Sequence, residues 1–134
     1  MAGVARRLAE AEAALATLDE AVARASGSLI ERDSAILRLI YTFEAMWKAC
    51  QHLLAERENI EIASPNGAIR AARRLGWLSD GDARAATRIG QDRNLAVHMY
   101  RGQLGEQIEE HLAGHAAVLH RWLDALKERA AGDT

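Results

Sequence analysis

With 134 residues, 49% of them hydrophobic, the chain is long enough to bury a core and is expected to form one domain spanning 1–134. The formal net charge of −2 gives no global pull toward nucleic acid or anionic membranes, and a single cysteine, Cys50, excludes an intramolecular disulfide and a cysteine-based zinc site. No stretch approaches the roughly 20 apolar residues of a membrane span, and the charged, amphipathic start is no signal peptide, so a cytoplasmic location is expected.

The first helix is drawn by Val4, Leu8, Ala11, Leu15, Leu18 and Val22, whose alternating spacings of four and three put them on one face. Ser26-Gly27-Ser28 supplies turn chemistry after it. The same rhythm returns at Ile36, Ile40, Phe43, Trp47, Cys50 and Leu54, predicting a long second helix. Ser64-Pro65 then reads as an N-cap followed by proline at the first helical position, where its missing N–H costs nothing. The short helix behind it is expected to end at Gly76. Ser79-Asp80-Gly81-Asp82 is a second capping cluster, and a helix runs on through "ARAATRIGQDRNLAV". Gly102 and Gly105 are expected to punctuate the next turn. A last helix carries Ile108, Leu112, His115, Leu119, Trp122 and Leu126. Short connections between long amphipathic helices predict an all-α, antiparallel four-helix bundle with a short additional helix near 65–75.

Charge is unevenly spread. Seven arginines (Arg70, Arg73, Arg74, Arg84, Arg88, Arg93, Arg101) face three acids between Pro65 and Arg101, a local +4, while the segments on either side each carry −3. Such a middle is either an anion-binding face or a solvated helix surface.

The chemistry-bearing residues crowd into "QDRNLAVHMY", Gln91 to Tyr100. Asn94 and His98 are four apart and share a helix face, as do Arg93 and Tyr100, seven apart. Arg93 and His98 are five apart, about 140° around a helix turning 100° per residue. For those two to act on one atom, the helix must bend or end near 95–101, or two copies of the chain must meet. The chemistry on offer is metal-free: a histidine moves protons near neutral pH, and an arginine fork holds phosphate oxygens and offsets developing charge. That pair suffices to help an RNA 2′-hydroxyl attack its adjacent phosphate. Equally, Arg93 could cap a carbonyl or pair with Asp92 or another acid, with His98 an ordinary helix-end histidine.

Other groups point to packing. His111 and His115 have the i,i+4 spacing of metal ligands, but no third ligand is evident in the sequence, and His115 lies on the apolar stripe. No metal or other cofactor is expected. Trp47 and Cys50 read as core, and Glu44 stands four residues before Lys48, a favourable pairing order on an exposed face.

"RNLAVHMY", read as Arg-Asn-x3-His-x-Tyr, resembles the signature of HEPN proteins, and more narrowly of the HepT-type, nucleotidyltransferase substrate-binding branch. "YTFEAMWKACQHLL" (Tyr41 to Leu54) resembles the Phe-Glu-x-x-Trp-Lys second helix of that branch, and "SPNGAIRAARRLGWLSDG" (Ser64 to Gly81) its Ser-Pro-start short helix. The resemblance implies a homodimeric four-helix bundle acting as the toxin of a type VII-like MNT–HEPN toxin–antitoxin pair. It further implies a metal-independent endoribonuclease whose catalytic residues are Arg93 and His98, with Asn94 beside the arginine. Tyr100 would be the acceptor of AMP from a cognate minimal nucleotidyltransferase, the antitoxin. RNA would be the substrate, and no membrane is involved. The alternative is a non-catalytic subunit that docks the nucleotidyltransferase. Val97 and Met99 depart from the branch, where small or polar residues are expected.

Overall fold

The computed structural model describes residues 2–24, 28–99 and 102–132 of the protein, and these form five helices in the predicted order. They are α1 (Ala2–Ala23), α2 (Leu29–Glu58), α3 (Pro65–Arg74), α4 (Asp80–Met99) and α5 (Gly102–Ala131). No strand occurs among the described residues, and no helix there is long and apolar enough to cross a membrane.

The 3-4 stripes become the core. Leu15 and Leu18 of α1, Leu39, Phe43, Met46, Leu53 and Leu54 of α2, and Ile108, Leu119, Trp122 and Leu126 of α5 are all essentially inaccessible. Each such side chain contributes about 1.5–3 kcal/mol on leaving water, so these stripes fix which faces meet. α2 and α5, at 30 residues each, are the central pair. α1 packs against both, α4 against both from another side, and α3 bridges α2 to α4.

The connections follow their local chemistry. The Ser28 hydroxyl accepts from Glu31 N at 3.2 Å and starts α2. At its other end Asn59 turns left-handed, with φ 57° and ψ 35°, a conformation that asparagine tolerates. The chain then doubles back, and Gln51 Nε2 donates to Ile62 O at 2.6 Å. Ser64 caps α3 through Gly67 N at 3.0 Å, with Pro65 in the first turn. α3 ends in a Schellman motif: Gly76 takes φ 78°, and Trp77 N donates to Ala72 O at 2.8 Å. Trp77 and Leu78 are thereby turned into the core. Ser79 Oγ accepts from Asp82 N at 3.0 Å and opens α4.

One expectation is corrected. Gly105 lies inside α5 and is buried, not in the preceding turn. A helical glycine costs about 1 kcal/mol relative to alanine, less than the burial of Ile108 and Leu112 just beyond it stabilises. Cys50 behaves as the small core residue it resembles. Its thiol donates to Ala68 O at 3.9 Å, tying α2 to α3, and burial pushes its pKa up to about 12.

Not every apolar residue is covered. On α2, Ile30, Leu37 and Tyr41 are 82%, 44% and 51% exposed, and Val97 of α4 is 52% exposed. Positions 30, 37 and 41 fall within about 40° of one another around the helix, so they form a stripe on the side away from the core.

Candidate functional site

Phe43 places the arginine of the motif. Its ring is fully buried, packed against Trp122 at 6.4 Å between centroids with a 60° tilt. The opposite helix can come close because position 90 is glycine: a Cβ there would stand 3.2 Å from Phe43 Cζ. One turn further along α4, Arg93 lays its guanidinium over the same ring, Cζ 5.5 Å from the centroid. That is cation–π range, worth about 0.5–2 kcal/mol according to burial.

The fork is then oriented by α2. Arg93 Nη2 meets Glu44 Oε1 at 2.6 Å, and Glu44 Oε2 in turn accepts from Trp47 Nε1 at 3.2 Å. Arg93 Nη1 donates to Asn94 Oδ1 at 3.0 Å. The Arg93 and Glu44 side chains keep only 20% and 34% of their exposure, so their attraction is screened less than that of a surface pair. Glu44 therefore pairs with Arg93 rather than with Lys48. The sequence left open whether Arg93 pairs with an acid; it does, with one 49 positions away on another helix. A groove of about 230 Å³ opens beside this pair, lined by Phe43, Ser64, Asn66, Gln91, Arg93 and Asn94 among others. Its far wall is the N-terminal turn of α3, where Pro65 has no N–H and Ser64 takes those of Gly67 and Ala68, so the positive end of the helix dipole is what favours anions there.

The structure joins Arg93 to Asn94 but does not join Arg93 to His98. α4 is helical through Met99, so Arg93 and His98 are five residues apart on one helix, about 140° around it. His98 is exposed in the last helical turn, on the face it shares with Asn94. Tyr100 lies outside the described residues.

Asp92 faces the other way, toward α5. Its Oδ2 meets His111 Nδ1 at 2.8 Å and His115 Nε2 at 2.7 Å. This is the third donor for the i,i+4 histidines, supplied from a different helix. His115 is buried as its place on the apolar stripe foretells, and burial lowers its pKa, offset in part by Asp92. Beyond it, Arg121 clasps both Asp82 carboxylate oxygens at 3.0–3.2 Å, a further tie between α4 and α5.

With this geometry in place, likeness to known proteins is informative. The family model described as nucleotidyltransferase substrate binding protein like matches residues 6–128. The chain belongs to this family. A solved protein from Thermus thermophilus is 46% identical, covers 87% of this chain and 98% of its own, and superposes with a TM-score of 0.83. A tri-AMPylated HEPN toxin from Shewanella oneidensis, in complex with MNT antitoxin, superposes with a TM-score of 0.78 at 17% identity, covering 92% and 96% of the two chains. A toxin–antitoxin structure with AMP-PNP gives 0.77, also at 17% identity and with the same coverage. These more distant likenesses establish that the fold of this family member is the all-α HEPN fold. No curated protein matches the sequence significantly.

The Arg93–Glu44 pair is expected to be energetically coupled. In a double-mutant cycle of Glu44→Gln and Arg93→Gln measured by urea unfolding, we expect a coupling of about 1 kcal/mol. A coupling indistinguishable from zero would mean that Glu44 does not hold Arg93.

Proposed function

We propose that this chain is the toxin of a type VII-like MNT–HEPN pair, a metal-independent endoribonuclease silenced when a minimal nucleotidyltransferase adds AMP to Tyr100. The observation that carries this reading is Arg93, fixed by Glu44, Asn94 and Phe43 at the edge of a groove with anion-favouring character. In the proposed reaction His98 takes the proton of an RNA 2′-hydroxyl. The 2′-oxygen attacks the adjacent phosphorus, and the bond to the 5′-oxygen of the next nucleotide breaks. A 2′,3′-cyclic phosphate and a 5′-hydroxyl result, the leaving oxygen being protonated by an imidazolium or by water. Arg93 binds the non-bridging oxygens and offsets the charge that builds on them, while Asn94 orients the arginine. AMP on Tyr100, two residues beyond His98, would put an anionic nucleotide where RNA phosphate has to sit. The work of both partners is assigned to the cytoplasm.

Because Arg93 and His98 project about 140° apart on a continuous helix, the complete site in this proposal forms between two copies of the chain. The exposed stripe of Ile30, Leu37 and Tyr41, with Val97 beside the motif, supports such a homodimer.

A second reading has its own support. An arginine already paired with a carboxylate has less attraction left for phosphate, which suits a non-catalytic subunit that docks the nucleotidyltransferase and presents Tyr100.

Three measurements separate these possibilities. Expressed without a partner, the wild-type chain should arrest growth and cleave cellular RNA, and His98→Ala should do neither; equal behaviour of the two defeats the nuclease. Incubated with the nucleotidyltransferase encoded beside it and ATP, the wild-type chain should gain the mass of one or more AMP groups. Tyr100→Phe should gain none, and uptake by that variant would exclude Tyr100 as the acceptor. In sedimentation velocity the wild-type chain should run as a dimer and Leu37→Glu as a folded monomer without cleavage activity. A dimer untouched by Leu37→Glu would move the interface elsewhere.

A further inference from the structure

Asp92, His111 and His115 take no part in the proposed RNA chemistry. Arg93 turns toward α2 and its neighbour Asp92 toward α5, so the two groups lie on different flanks of α4. The carboxylate oxygen and the two imidazole nitrogens lie within 4.8 Å of one another. Asp92 and His115 keep only 13% and 10% of their side-chain exposure, whereas His111 keeps 53%. Two ligands are thus held by packing between α4 and α5, and the third forms a door to solvent. The imidazole rings are tilted by 60° with centroids 5.6 Å apart, so their nitrogens converge on the carboxylate rather than stacking past it.

We propose that Asp92 Oδ2, His111 Nδ1 and His115 Nε2 bind a divalent transition-metal ion of the zinc type, which clamps α4 to α5. The donor set selects the metal. Two neutral nitrogens and one carboxylate oxygen suit zinc and its neighbours, whereas calcium and magnesium require oxygen cages. The spacing is also close to what is needed. Ligands about 2.0–2.2 Å from a tetrahedral metal stand roughly 3.3 Å apart, against 2.7 and 2.8 Å here. The exposed His111 can widen the 2.8 Å edge, the 2.7 Å Asp92–His115 edge needs a side-chain rotation of about half an ångström, and the two imidazole nitrogens lie within 4.8 Å of each other.

Three protein ligands leave a coordination position open. It faces a groove of about 660 Å³ lined by Arg88, Glu110, Gly114 and Arg121 among others. Gly114, between the two histidines on α5, borders open space, since a Cβ at that position would meet nothing within 4 Å. Water can complete the shell. Bound there, the ion would fix α4 against α5 two residues before Asn94 and so stiffen the helix end that presents His98. Because the ligands lie off the Arg93 flank, the clamp is independent of whether the chain cleaves RNA.

The competing account is that Asp92 merely accepts hydrogen bonds from two imidazoles. Zinc chloride titrated calorimetrically into chelator-stripped full-length protein distinguishes them. We expect one zinc per chain, a thermal midpoint that rises with zinc and falls back with EDTA, and a visible ligand-field band when cobalt(II) replaces zinc. His111→Gln, at an exposed position that leaves the core intact, should weaken binding by at least about tenfold, since even losing a group that only supports a ligand costs that much. Asp92→Asn, which keeps a hydrogen-bonding oxygen but removes the charge, should do the same. Failure of the wild-type chain to take up zinc would overturn the proposal. So would uptake that His111→Gln and Asp92→Asn leave unchanged, because the ion would then sit elsewhere.

Discussion

The ring of Phe43 is where three helices converge, and the geometry of α4 depends on it. Trp122 of α5 packs tilted against the ring, Gly90 of α4 meets its Cζ tip, and Arg93 of α4 lies over it. Since α4 approaches so closely only where it lacks a side chain, its rotation about its own axis is set by that contact. Consecutive helical residues point about 100° apart. Once Arg93 is seated over Phe43, Asp92 has to face α5 and Asn94 has to face the groove. One steric fit in the core thereby sends Asp92 toward α5 while Arg93 and Asn94 meet at the groove.

Much of the architecture was legible in the sequence because it rests on local rules. The 3-4 apolar spacings on the first, second and last helices report burial directly, and the Ser64-Pro65 and Ser79 caps mark their helix starts as written. Gly105 misled because glycine near a helix start is tolerated when the residues beyond it are buried, and a residue type alone does not reveal that.

The site was legible only in part. Arg93, Asn94 and His98 stand out as residues unlike their surroundings, and simple helical angles already forbid Arg93 and His98 from converging on one helix. What orients them was hidden. Glu44 has an ordinary partner at Lys48 in the sequence and a different one in space, and the carboxylate that completes the histidine pair lies 19 and 23 positions before His111 and His115. Such pairings depend on which helices become neighbours and how each is rotated, so no spacing along the chain encodes them.

Glu44 also bears on how the family's members are to be compared. Arg93, Asn94 and His98 of the motif lie on α4, but the device that aims its arginine lies on α2, on the carboxylate that also holds Trp47. A relative that keeps Arg-Asn-x3-His-x-Tyr and has lost the glutamate would retain the signature with a loosely hinged guanidinium. Sorting members by the second-helix Glu together with the motif should therefore separate rigid from slack versions of the same site, a division that the motif alone cannot make.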